Sequence, residues 1–95
     1  PRIGIYTQDV TAEMAQQYDL PEGVYVVQVG EGSPAAAAGI QRGDVIIAIN
    51  GQETLTTSAI NAVKNTLQAG DTMTLTIIRD GEKLEIPVVL AEATT

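Results

Sequence analysis

The chain has 95 residues, with no cysteine, no histidine, and twelve acidic against five basic residues, for a formal net charge of −7. That length fills one hydrophobic core, burying about 60–70% of the surface the unfolded chain exposes. Disulfide frameworks, Cys/His zinc sites and the imidazole base of hydrolytic triads are excluded from within it, and the acidic balance disfavours a phosphate backbone.

The elements follow in chain order. Residues 3–7 have strand character beside a glycine. Residues 11–18 predict a helix with Met14 and Tyr18 one turn apart, closing before Leu20-Pro21. Past the Pro21-Glu22-Gly23 turn, the β-branched run 24–29 reads as a strand. Ser33-Pro34 followed by four alanines and Gly39 reads as a short helix. Serine caps the free N–H groups, proline fits the first turn, and glycine suits a left-handed exit. Residues 45–49 are apolar throughout, as in a strand buried on both faces. Residues 58–67 form the longest predicted helix, with Ile60, Val63 and Leu67 on one stripe, Ser58 as its cap and Ala69-Gly70 closing it.

The last two runs are the clearest. Met73, Leu75 and Ile77 alternate with threonines, and Leu84, Ile86, Val88 and Leu90 alternate in the same way, each giving one buried and one wet face. Asp80-Gly81 between them favours the type I′ turn of a hairpin. Pro87 cannot donate to a ladder, so the final strand belongs at an edge or points that position outward.

Several features exclude other classes of function. The cations Arg2, Arg42, Lys64, Arg79 and Lys83 are scattered and make no basic face, so nucleic acid and anionic membranes are not expected partners. No apolar run approaches the ~20 residues of a membrane span, and no signal-peptide pattern opens the chain. The start at Pro1 suggests a domain cut from a longer protein. Asp9 and Glu13, placed one helical turn apart, read as an acidic surface pair and not as metal ligands. Arg42-Gly43-Asp44 spells an adhesion tripeptide, but it runs into a buried strand, where Asp44 serves the turn. No cofactor, metal or catalytic residue is expected.

Residues 33–51 read SPAAAAGIQRGDVIIAING. Ser33-Pro34-Ala35, Ala38-Gly39, the apolar Ile40, Gly43-Asp44-Val45-Ile46 and Ile49-Asn50-Gly51 together resemble the signature of PDZ domains. The likeness is strongest to those attached to bacterial HtrA/Deg-type, trypsin-like serine proteases. It extends outward on both sides. Arg2-Ile3-Gly4-Ile5 stands where that family places its carboxylate-binding loop, and Gly70-Asp71 with residues 73–81 resembles its closing hairpin. In one departure, Arg2 occupies a position where HtrA-type domains often carry an aromatic residue.

The resemblance implies an α+β, β-rich fold, a partly open barrel or sandwich of five to six strands capped by two helices. The strand order would be the circularly permuted bacterial one, with residues 1–91 as the domain and 92–95 as a polar tail. It implies a non-catalytic module that takes C-terminal ends of polypeptides by strand addition. The terminal carboxylate would meet the N–H groups of Ile3, Gly4 and Ile5, with Arg2 beside them. Tyr6 and Thr7 would offer the strand edge. Ile60, Val63, Lys64 and Leu67 would supply the opposite wall, with Ile60 and Leu67 at the groove margin and Val63 toward the core. An apolar last residue would contribute about 1.5–3 kcal/mol, and micromolar affinity follows, about −7 to −8 kcal/mol. The implied partners are such peptides and a parent protease domain, and the implied location is the bacterial cell envelope. Two alternatives stay open. One is a PDZ module of another membrane-linked protease or secretion component, and the other is an oligomerisation module whose groove its own tail fills.

Overall fold

The computed structural model describes residues 4–19 and 21–90. Six strands and three helices follow one another as β1 (Ile5–Val10), α1 (Ala12–Tyr18), β2 (Gly23–Val29), α2 (Pro34–Ala38), β3 (Val45–Ile49), β4 (Gln52–Glu53), α3 (Thr57–Lys64), β5 (Thr72–Arg79) and β6 (Glu82–Val89). The strands form one antiparallel sheet in the order β1-β2-β3-β5-β6, with β4 paired to β3. This is the expected β-rich architecture. Two helices, α2 and α3, press a buried residue (Ala35 and Ile60) into the core, whereas α1 buries none.

Local chemistry accounts for most boundaries. Ser33 is the N-cap of α2, its hydroxyl accepting from Ala36 N at 3.2 Å, and Gly39 leaves the helix with φ +97°. Asp80 and Gly81 both have positive φ (53° and 80°), as a type I′ turn requires, and β5 pairs with β6 in register on either side. Met73, Leu75 and Ile77 are fully buried and Val88 joins them. Thr76, expected on the wet face, is only 5% exposed, because the sheet surface around Ile47 and Ala48 shields it.

Other boundaries differ from expectation. β1 opens at Ile5, just past the first described residue, and runs beyond the predicted end to Val10, which is 3% exposed. Thr56, not Ser58, caps α3, accepting from Ala59 N at 3.1 Å. That helix ends at Lys64 with Asn65 as its C-cap, and Gly70 serves the next loop, where its N–H donates to Leu90 O at 2.9 Å. Asp9 lies in β1 and Glu13 in α1, so the two do not share a helix.

Asp44 does more than shape a turn. It is 1% exposed, and its carboxylate accepts from Arg79 Nε (2.8 Å), Arg79 Nη2 (2.7 Å) and Gln41 N (2.9 Å). Arg79 also donates to Gly39 O at 2.9 Å. The loop between α2 and β3 is thereby bolted to the end of β5. The hydrogen bond to Asp44 is the main reason the guanidinium holds its proton more tightly than usual.

The two outer strands are not equivalent. Thr74 donates its N–H to Asn50 Oδ1 (2.9 Å) and accepts from Asn50 N (2.8 Å), so both of its backbone groups face β3. The Thr74–Pro87 pair therefore carries no main-chain bonds between β5 and β6, and the Pro87 nitrogen faces outward, where it has no hydrogen to offer. Beside it, Pro34, Ala37 and Ala38 of α2 share a hollow with Pro87 and Val89. The β6 edge is thus interrupted and partly flanked by α2, while β1 has β2 on one side and, among the described residues, no strand on the other.

Candidate functional site

β1 enters the sheet from Gly4, and two facts make glycine necessary there. Its φ is +83°, and a Cβ at this position would run into the side chain of Ser33. The Gly4 carbonyl accepts from Gly30 N at 2.8 Å, tying the turn to the end of β2. The start of α2 and the turn into β1 therefore interlock. The serine of the signature segment caps its own helix and at the same time packs against the turn at the head of the open strand.

Alternation along β1 sorts its side chains. Ile5 and Thr7 are half-buried, Ile5 packing on the core, whereas Tyr6 is 65% exposed and points away from it. Of the two residues predicted to offer the strand edge, Tyr6 turns its side chain to solvent. Thr7 faces α3, its hydroxyl 2.9 Å from that of Thr57. One step further, Asp9 Oδ1 accepts from Thr57 N at 2.7 Å and from Thr57 Oγ1 at 2.8 Å. Asp9 thus acts from β1 as a second cap on α3, and the strand and the helix are held together at this end.

The face of α3 turned to the sheet carries Ile60, Val63, Lys64 and Leu67 at or just beyond its end. Ile60 is 3% exposed and belongs to the core, while Val63 and Leu67 are half-buried against it and Lys64 is half-buried at the last turn. Ile60 is thus deeper than the groove margin expected for it, at the centre of the helix's buried stripe, while Val63 packs toward the core as expected. Arg2 and Ile3 lie outside the described residues. Sequence reasoning missed Asp9 and Thr57 as a unit, because they are 48 positions apart and neither belongs to the signature segment.

The result is a border strand beside the apolar face of α3, with a glycine turn at its head and, at its foot, a carboxylate bonded to the start of the helix. No group of three or more potential metal ligands occurs among the described residues. The sequence matches the PDZ domain family over residues 1–90.

The chain belongs to the PDZ domain family.

Relatives of this PDZ domain include two proteins described as probable periplasmic DegP-like serine endoproteases. The one from Chlamydia trachomatis serovar D is 36% identical over 95 residues, covering 98% of this chain and 19% of that protein. The one from Pseudomonas putida strain W619 is 37% identical over 90 residues, covering 93% and 19%. The PDZ domain thus spans about a fifth of the length of these relatives. Among solved structures, the HtrA3 PDZ domain bound to a phage-derived ligand, FGRWV, superposes with a TM-score of 0.80 at 26% identity, covering 93% of this chain and 82% of that one. The HtrA-type protease AlgW with a decapeptide gives a TM-score of 0.82 at 28% identity, covering 99% and 30%. Among the described residues no helix is long and apolar enough to cross a membrane.

Proposed function

We propose that this PDZ domain is a non-catalytic module that captures C-terminal ends of polypeptides by strand addition, for substrate recognition by, or regulation of, an attached serine endoprotease of the bacterial envelope. The observation that carries the reading is the open edge of β1 lying beside α3 and starting at the Gly4 turn. A peptide laid antiparallel to Ile5, Tyr6 and Thr7 exchanges main-chain hydrogen bonds along that edge. Its carboxylate rests against the N–H groups of Ile3, Gly4 and Ile5, and its last side chain enters the apolar space bounded by Ile5, Val63 and Leu67. Arg2 and Lys64 add positive charge near the carboxylate. The peptide ligands named for the two similar structures support this use of the cleft, and the phage-derived ligand ends in valine. The periplasmic description of the relatives supports the location.

Fluorescence polarisation tests the reading directly. Peptides ending in valine, leucine or alanine are titrated both as free acids and as C-terminal amides. Micromolar binding by the acids, lost on amidation, is expected. Equal binding of the amides would remove the carboxylate role assigned to the Gly4 turn.

A further inference from the structure

Asp9 stands out among the polar groups of the cleft because only half of its carboxylate is used. Oδ1 receives both Thr57 bonds, whereas Oδ2 has no partner among the described residues, and the side chain is exposed. The one ion pair found among those residues joins Arg79 to Asp44 elsewhere, so none of the described cations pairs with Asp9. At the other end of the same helix, in its last turn, stands Lys64. The cleft is therefore electrically polarised along its length, positive where a peptide's C-terminus would rest and negative where its upstream residues would leave.

Strand geometry fixes which ligand residue meets Asp9. The last side chain must point to the apolar side, as Ile5 does, so the last residue lies opposite Ile5. In an antiparallel pair each step back along the peptide is a step forward along β1, and side chains alternate. The second residue upstream then lies opposite Thr7 and the fourth opposite Asp9, all three facing α3. Four strand steps cover about 13 Å, and α3 from its first to its last residue covers about 10 Å. A five-residue end thus reaches from the Lys64 turn to Asp9.

We propose that Asp9 is a second recognition point of the cleft, one that selects polypeptide ends carrying lysine or arginine four residues before the C-terminal residue. This rests on the strand-addition reading above. A long cationic side chain there donates to the free Oδ2 without disturbing the Thr57 bonds. An acidic side chain at that position meets an uncompensated like charge on a protein already strongly anionic.

The experiment uses one free-acid peptide with a fixed apolar end and lysine, alanine or glutamate at the fourth position upstream, titrated at low and at physiological salt. Affinity should rank lysine over alanine over glutamate, the extremes differing by about three- to twentyfold at low salt and by less as salt rises. Lysine moved to the third position, on the opposite face, should lose its advantage. In Asp9→Asn, which keeps the oxygen that receives the Thr57 bonds, the lysine-to-glutamate ratio should fall below about twofold. Equal affinity of the three peptides, or a ratio that survives Asp9→Asn, overturns the role of Asp9 and leaves strand addition standing. Absence of binding by every peptide, or binding indifferent to amidation, overturns the strand-addition reading and this inference together.

Discussion

Replacing Arg79 by leucine tests the bolt between the α2–β3 loop and β5. The substitution keeps the bulk of the side-chain stem and removes three donations, two to Asp44 and one to Gly39 O. Asp44 stays behind, 1% exposed, with only the Gln41 N–H to meet its charge. Stripping one partner from a buried pair destabilises by about 3–5 kcal/mol. The Arg79 side chain is 26% exposed, so water reaches part of the site and the lower figure, about 3 kcal/mol, applies. A 95-residue domain holds about 5–14 kcal/mol in all. With a urea slope of about 1–2 kcal/mol per M, the midpoint should fall by about 1.5–3 M. The chain lacks tryptophan, so unfolding is followed by far-ultraviolet circular dichroism. The double variant Asp44→Asn, Arg79→Leu separates two causes. If an unpaired buried charge is responsible, removing that charge restores part of the loss. A double variant no more stable than Arg79→Leu alone would refute the reasoning and leave lost packing as the explanation.

Three further outcomes are expected. Gly4→Ala should lower stability by about 2–4 kcal/mol, through its left-handed backbone and the encounter with Ser33, and weaken free-acid peptide binding at least tenfold; calorimetry and polarisation check both, and an unaltered melt would contradict the interlock. Thr54→Val should be neutral or stabilising by up to about 1 kcal/mol, because the buried Thr54 hydroxyl has no hydrogen-bond partner among the described residues; a clear loss in urea denaturation would show that it has one. The guanidinium of Arg79 has its pKa raised by Asp44, so its stabilisation is complete below the unfolded value and fades only as pH rises through the folded one. Both lie beyond ordinary alkaline conditions, so the stability difference between wild type and Arg79→Leu should be the same at pH 7 and pH 9.5.

Features that rest on neighbouring residues were legible in the sequence. Ser33, Pro34 and Gly39 define a helix by their own capping chemistry, and Asp80-Gly81 defines a hairpin by its backbone preference; both stand as read. The same logic was available for Asn50-Gly51, whose positive φ values of 52° and 81° turn β3 into β4, but β4 is only two residues long and leaves no alternation to detect. Thr56, Thr57 and Ser58 are three adjacent candidates for one cap, and the choice of Thr56 follows from where Asp9 receives the next N–H. Pairings such as Asp44 with Arg79 lie 35 positions apart and become visible only once β3 and β5 are neighbours. Along α3, periodicity identified the face that packs on the core, but it did not show that Ile60 lies deepest, because depth depends on how the helix sits over the sheet.

The inequality of the two outer strands sets a stoichiometry. A sheet able to accept a strand at both borders behaves as a bifunctional monomer, and each addition leaves a fresh border for the next, which is how fibres grow. Here Pro87 breaks the row of outward donors on β6, and α2 stands alongside. On the strand-addition function proposed above, the domain is therefore monovalent toward extended chains. A module that adds strands at one border only holds one end at a time and passes nothing on, so it does not become a seed on which extended chains assemble.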